Sequence, residues 1–146
     1  MRRRDISKAL FATAAGSAVV SRRVDAQTCT APCFAQTGAE RNAGVTPTNY
    51  SYLPGVVDRY ATPGTTDMTA AIMTAANQGA QPNGAPVQFL SETYIVASNV
   101  TVNVPCAFNA NAQITPGASV TVTLNGPVTA PLTQVFNLSK DRKSVV

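Results

Sequence analysis

Carboxylate side chains are the groups in this sequence best suited to acid–base chemistry. The 146-residue chain contains no histidine, and from Gln27 onward its carboxylates are Glu40, Asp58, Asp67, Glu92 and Asp141. Hydrolysis of a glycosidic bond requires two carboxyl groups at a defined separation. Only Glu92 lies among the segments that we predict to be strands, and the lack of histidine excludes a Ser-His-Asp triad. We therefore assign no catalytic residue and interpret Glu92 as a solvated turn residue.

The cysteines are the remaining reactive side chains, and there are three of them: Cys29, Cys33 and Cys106. A structural zinc site usually takes four Cys or His ligands, so the sequence predicts no metal site, and no pattern in it indicates a cofactor. In an oxidising compartment Cys29 and Cys33 could pair across "TAP", which would leave Cys106 buried and free. A Cys29–Cys106 pair is the alternative, and the spacing leaves both open.

Residues 1–26 have the three parts of an export signal peptide. A basic head that includes Arg3 and Arg4 precedes an apolar stretch from Ala9 to Val20, and Ala26 offers a small residue for cleavage. The apolar stretch has 12 residues, whereas a membrane-spanning helix needs about 20, so we expect no permanent membrane anchor. A disordered basic arm that binds nucleic acid is the alternative.

The segment "RRDISK" resembles the twin-arginine export motif, with paired Arg3 and Arg4 followed by Ile6 and Lys8. The resemblance implies a bacterial protein that the export machinery delivers to the periplasm or the cell exterior. From Gln27 onward, five basic and five acidic side chains balance, so the formal net charge of +4 belongs to the signal peptide. A neutral mature chain lacks the basic surface that phosphate backbones require, which excludes nucleic acid as a partner.

The mature chain begins with residues 27–55, which we predict to be an extended leader with turns because they mix Pro, Gly, Thr and Asn without a period. A short helix follows. Asp67 is placed to accept hydrogen bonds from the first turn of that helix, and Met68 and Ile72 share its apolar face with Ala75 and Ala76. A helix this short is marginal alone, so we expect it to rest on a larger apolar structure.

Two later segments, "NVTVNV" and "SVTVTLN", alternate strictly between apolar and polar residues, which predicts half-buried strands. Val100 and Val120 begin the two patterns at an offset of 20 residues, and the strands have the same phase. A fixed offset with strands in phase is typical of a solenoid, in which each strand lies directly above the previous one. An ordinary β-sandwich is the alternative, since its strands also recur at regular spacings.

The stretch "DRYATPGTTDMTAAIMTAANQGA", followed by "APVQFLSETYIVASNVTV", resembles the N-terminal region of pectate-lyase-like right-handed parallel β-helix proteins. The resemblance covers roughly 56–137 and implies a mainly β fold: a capping helix, whose Ile72 points into the stack, and the first two to three coils of a β-helix over 56–138. This sequence differs from the family pattern at Glu92, where a glycine is common. Relatives of this architecture include polysaccharide lyases, glycoside hydrolases and phage tailspikes, so a polysaccharide is a candidate partner.

The last residues, 139–146, change composition abruptly and concentrate charge in "KDRK". "DRKSVV" resembles translated adapter sequence, and we interpret 139–146 as a non-native-looking or disordered tail on a truncated chain; a natural basic tail is the alternative. Two function classes remain. The chain is the N-terminal fragment of an exported β-helix protein related to polysaccharide-acting enzymes, without a catalytic constellation of its own, or it belongs to a non-catalytic surface, adhesion or tailspike-like β-helix. The sequence indicates no oligomeric state.

Overall fold

The computed structural model describes residues 33–64, 66–78, 85–90 and 92–138. Within this part of the chain there are two α-helices, a 3₁₀ turn and seven short strands. The elements are α1 (Gly38–Asn42), the 3₁₀ turn (Val57–Arg59), α2 (Thr69–Gln78), β1 (Val87–Phe89), β2 (Thr93–Val96), β3 (Val100–Val102), β4 (Cys106–Phe108), β5 (Gln113–Pro116), β6 (Val122–Leu124) and β7 (Val128–Thr129). The fold is mainly β, and no helix in the described ranges is long and apolar enough to span a bilayer.

In the described ranges all strand pairs are parallel, and they form three small sheets. The orders are β1-β4-β7, β2-β5 and β3-β6, so the chain visits the three sheets in the same sequence twice and then begins a third time with β7. An isolated parallel bridge between Ile114 and Phe136 adds to the second sheet after β7. Parallel neighbours cannot be joined by a tight hairpin, and here two other strands lie between each strand and its partner along the chain.

The register of β3 and β6 differs from the sequence prediction by two residues. Val100 pairs with Val122 rather than Val120, an offset of 22 residues instead of 20. The reason is a turn in which the N–H of Val120 donates to the carbonyl of Gly117 at 3.2 Å, with Ser119 at a φ of 62°. This turn uses residues that the alternating pattern had assigned to the strand. Because side chains alternate with a period of two, the shift leaves the valines on the same face.

Before β1, the chain already contacts two of the three sheets. Val56 forms a parallel bridge with Gln88 of β1, and Asp67 forms one with Ile95 of β2. Helix α2 comes next and packs against β3, β1 and the 3₁₀ turn. It therefore lies on the first strand layer at the position where a preceding strand of the third sheet would be.

The core lies between α2 and the inward faces of the strands. The predicted apolar face of α2 is buried: Ile72 is 1% exposed and Met68 is fully buried. Phe89 stacks on its register partner Phe108 at a centroid distance of 4.4 Å, and it meets the Tyr94 ring edge to face at 5.1 Å. Complete burial of an aliphatic side chain contributes about 1.5–3 kcal/mol. Ile72 and Met68, the residue immediately before α2, therefore hold the helix in place.

Burial decreases along the chain. The inward residues of β1 and β3 are buried, those of β6 are only half-buried, and Val128 of β7 is 48% exposed. The backbone still approaches closely at this end, because a Cβ added to Gly126 would overlap the carbonyl of Val104. The described part of the chain thus has a dense end beneath α2 and an open end at β6 and β7.

The segment predicted to be an extended leader contains helix α1 within its described part. Thr37 and Glu40 form a capping box: the Thr37 hydroxyl accepts from the Glu40 N–H at 3.1 Å, and the Thr37 N–H donates to Glu40 Oε2 at 2.7 Å. This Thr-x-x-Glu spacing is a recognised signal for a helix start. The prediction relied on periodicity alone and did not include this helix, which is too short to show one.

Candidate functional site

A shallow cleft lies where the leader, the 3₁₀ turn and the turn before β2 meet. Its volume is about 240 Å³, and it is lined by Asn49, Tyr52, Asp58, Thr62, Pro63 and Glu92. The leader wall is shaped by an Asx turn, in which Asn49 Oδ1 accepts from the N–H of Ser51 at 2.9 Å. On the opposite wall, the N–H of Glu92 donates to the carbonyl of Leu90 at 2.9 Å and sets the turn that carries its side chain. The cleft therefore brings Asp58 and Glu92 together from distant parts of the sequence.

Asp58 is the unusual group of the cleft, because it is a carboxylic acid with only 6% of its surface exposed. Its Oδ1 accepts from the Tyr94 hydroxyl at 2.7 Å, and the same hydroxyl accepts from the Leu90 N–H at 2.6 Å. Burial raises the pKa of Asp58, the Tyr94 hydrogen bond partly opposes this, and the nearby Glu92 charge raises it further. The hydroxyl of Tyr94 is in turn buried against an acid, which raises its pKa.

The neighbouring Arg59 does not neutralise Asp58, because its donors are already used. Arg59 is fully buried, and its Nε and Nη2 donate to Glu40 at 2.7 and 3.0 Å. Its remaining hydrogen bonds go to the carbonyls of Phe34, Tyr52 and Ala35 at 3.1, 2.6 and 3.1 Å. A guanidinium has five N–H donors, so the set is complete. Among the described residues, Arg59–Glu40 is the only ion pair.

Glu40 is held in its charged form by this network. It also accepts from the Tyr60 hydroxyl at 2.8 Å. Burial alone would raise the pKa of Glu40, but the hydrogen bonds from Arg59, Thr37 and Tyr60 outweigh it and lower the pKa to about 2. The ion pair fastens the leader to the body of the domain, since α1 supplies the acid and the 3₁₀ turn supplies the base.

We expect this network to make the free energy of unfolding depend on pH. The pKa of Glu40 is 4.5 in the unfolded chain and about 2 in the fold, so its contribution is complete above 4.5 and is lost as the pH falls towards 2. Urea unfolding of the parent chain and of Glu40→Gln should give free energies that converge as the pH falls through this window. The pKa of Asp58 is raised, so its contribution to stability changes with pH in the opposite direction. Because Asp58 is present in both chains, this contribution cancels in the comparison. A constant difference between the two chains would contradict the assignment.

The residues that the sequence indicated for a helix cap lie away from the cleft lining: Asp67 is two residues before α2, and Ile72 is on the helix. Asp67 Oδ1 accepts from the N–H of Thr69 at 2.9 Å, from its hydroxyl at 2.6 Å and from the N–H of Ala97 at 3.1 Å. These hydrogen bonds lower the pKa of Asp67. Ile72 is buried in the core. Asp67 thus joins the first turn of α2 to the end of β2.

Of the residues named for the disulfide and the export signal, Cys33 and Cys106 are among the described residues. Cys33 is disulfide-bonded, whereas Cys106 is a buried free thiol whose pKa burial raises to about 11. Cys29, Arg3, Arg4 and Ala26 lie outside the described residues, as does the tail 139–146. The pairing of Cys33 with Cys29 and the export signal therefore stay predictions.

Neither the buried Arg59–Glu40 ion pair nor the pair of carboxylates in the cleft is predicted from the sequence above. Glu40 lies within the predicted leader, 27–55, and Asp58 lies just after it. Glu92 is interpreted from the sequence as a solvated turn residue, with no carboxylate partner. One signal was available: in "VVDRY", the charges of Asp58 and Arg59 lie between two valines and a tyrosine. Charged residues inside an apolar run indicate burial, and buried charges require partners.

The cleft presents hydrogen-bond acceptors and negative charge. Two carboxylates, an amide and a hydroxyl face a half-buried tyrosine and proline. Among the described residues there is no group of three or more His, Cys, Asp or Glu side chains that could hold a metal ion. The arrangement is suited to binding a small donor-rich or cationic group.

Comparisons with known proteins add no relative to this description. No family model matches the chain. No curated protein and no solved structure matches it either.

Proposed function

We propose that the described residues form the capped end and first coils of a right-handed parallel β-helix, within an exported protein that contacts polysaccharide. In this proposal the part described here is a scaffold, and residues 56–138 supply the cap and two to three coils. The observation that carries it is the repeated visit to three parallel sheets in constant order. A sandwich of antiparallel strands does not give this order.

The step between layers supports a regular coil. Register partners are 19 residues apart in β1-β4 and 20 apart in β2-β5, and they are 22 apart in β3-β6, in β4-β7 and at the Ile114–Phe136 bridge. Equivalent residues also stack between layers, as the Asn125 side-chain amide does when it donates to Asn103 Oδ1 at 2.7 Å. A similar step in all three sheets, between 19 and 22 residues, with like residues stacked is typical of a solenoid.

Helix α2 supports the assignment of an end cap. It covers the first layer at the position of the third sheet, with Met68 and Ile72 buried beneath it. An uncovered first layer would expose strand edges and apolar side chains, which favours aggregation. A terminal capping element with a polar outer face is what such a stack requires.

The export and polysaccharide parts of the proposal rest on the sequence. They come from the signal-peptide pattern of residues 1–26 and from the resemblance of "DRYATPGTTDMTAAIMTAANQGA" to pectate-lyase-like proteins. A non-catalytic surface or adhesion β-helix is the second candidate. The exposed rows favour it, since Thr101 lies beside Thr123 and Asn103 beside Asn125, giving uncharged polar ladders in the described coils.

Paired cysteines on the exposed rows test the parallel register. In parallel strands Thr101→Cys/Thr123→Cys and Asn103→Cys/Asn125→Cys both place cysteines side by side, so mild oxidation should form both cross-links. The control pair Asn103→Cys/Thr121→Cys should not cross-link, although an antiparallel pairing centred on 101 and 123 would bring it together. Mass spectrometry of the digested protein identifies the linked peptides. Cross-linking of the control pair in place of Asn103→Cys/Asn125→Cys would overturn the β-helix.

Polysaccharide contact is tested separately with the full chain. Its migration through native gels containing neutral, cationic or anionic polysaccharide should be slowed by at least one of them. Unchanged migration in all three would count against polysaccharide as the partner, and it would leave the cross-linking result intact.

A further inference from the structure

Among the residues that the structure describes, the cleft is lined by carboxylates and by no cationic side chain. Of its six lining residues two are carboxylates and none is a cation, and the adjacent Arg59 donates all its N–H groups elsewhere. Charge of one sign within a concave surface concentrates the field and attracts the opposite charge. The cleft is therefore selective by charge, favouring cations over anions.

The charge of Asp58 is not needed to build the fold. Its structural contact is the hydrogen bond accepted from Tyr94, and an asparagine at this position could accept the same bond without a desolvated charge. Burial and Glu92 both disfavour the ionised form. The side chain of Asp58 lines the cleft beside Glu92, so a ligand in the cleft is placed to contact both carboxylates.

The remaining walls suit a ring with a polar edge. Tyr52 and Pro63 are half-buried and offer apolar surface, while Asn49 and Thr62 are exposed and offer an amide and a hydroxyl. The volume of about 240 Å³ lies below the range of roughly 300–1,000 Å³ for drug-sized ligands. It matches one sugar-sized ring rather than an extended ligand.

We propose that this cleft binds an amino sugar, with its ammonium group between Asp58 and Glu92 and its ring against Tyr52. The choice of a sugar as the carrier of the amine rests on the proposed contact with polysaccharide; the choice of an amine rests on the charge of the cleft. A uronic acid is disfavoured, because its carboxylate would meet two others.

Glucosamine is the probe, and glucose and glucuronate are matched controls that keep the ring and change the charge. In NMR titrations of the isotope-labelled full chain, glucosamine should shift the amide signals of residues 49–52, 58 and 92, and glucose should bind at least about tenfold more weakly. Glucuronate should give no shifts. Equal binding of glucose and glucosamine would overturn the role of the amine, and so would the absence of any glucosamine shifts at the cleft.

Variants locate the site. Glu92→Gln and Asp58→Asn should each weaken glucosamine binding by at least about tenfold, because each removes one charged acceptor. Glu92 is exposed and Asp58→Asn keeps an acceptor for Tyr94, so both variants are expected to fold. Asn77→Lys is the control, since it changes the net charge by the same amount at an exposed position outside the cleft lining. Unchanged binding in both cleft variants, or equal loss in Asn77→Lys, would overturn the site. Neither result bears on the cross-linking test of the β-helix.

Discussion

Replacing Arg59 with alanine is expected to cost about 3–5 kcal/mol of folding free energy, the range for removing one partner of a buried ion pair. The guanidinium is fully buried and makes hydrogen bonds to Glu40 and to three backbone carbonyls. Its loss leaves the Glu40 carboxylate buried without its cation and the carbonyls without donors. Such a change is a large part of the total stability of about 5–15 kcal/mol that is usual for a domain.

Urea unfolding measures this effect, and Arg41→Ala is the matched control. Arg41 is exposed, and its Nη1 donates to the carbonyl of Gln36 at 2.8 Å, so its removal should change stability by less than about 0.5 kcal/mol. Arg59→Lys should remain strongly destabilised, because an ammonium cannot reproduce the forked contacts with Glu40. Similar losses for Arg59→Ala and Arg41→Ala would show that the ion pair does not hold the leader.

The second large effect is expected for Ile72→Asp, which should make the protein misfold or associate. Ile72 is 1% exposed beneath α2, and an aspartate there would place a charge in the apolar core. Desolvating an unpaired charge costs several kcal/mol, so α2 would detach and uncover the first strand layer. Exposed strand edges and core side chains then favour association between chains.

Asn77→Asp is the control, because it introduces the same side chain at an exposed position near the end of the same helix. Its aspartate stays in water and should have little effect. Size-exclusion chromatography at several concentrations, together with circular dichroism, distinguishes the two outcomes. Equal solubility and equal monomer content in the two variants would contradict the role of α2 as a lid.

The sequence predicted the elements whose patterns are local. The stripe of Met68 and Ile72 identified the buried face of α2, and the alternation of valine with threonine identified β3 and β6. The pairing offset was wrong by two residues because turn geometry decides it, and the turn at Ser119 uses a positive φ that strand patterns do not show.

The cleft could not be predicted because its parts are joined only by the fold. Asp58 and Glu92 are 34 positions apart in sequence, and Tyr94 of β2 donates to Asp58 of the 3₁₀ turn. The Arg59–Glu40 pair is equally remote, at a separation of 19 residues. Residues 27–146 are neutral by composition, but composition does not show that two acids line the cleft while the adjacent Arg59 is bonded to Glu40.

The uneven burial of the strands favours local unfolding from one end of the described residues. Inward side chains are enclosed near α2 and only partly enclosed at β6 and β7, so we expect backbone opening to begin at β7 and to move back towards the helix. We expect the last strands to detach before the first and the buried Arg59 network to loosen last. We therefore expect pulling forces and proteases to open or cleave the chain first near β6 and β7, while the leader and the cleft remain folded.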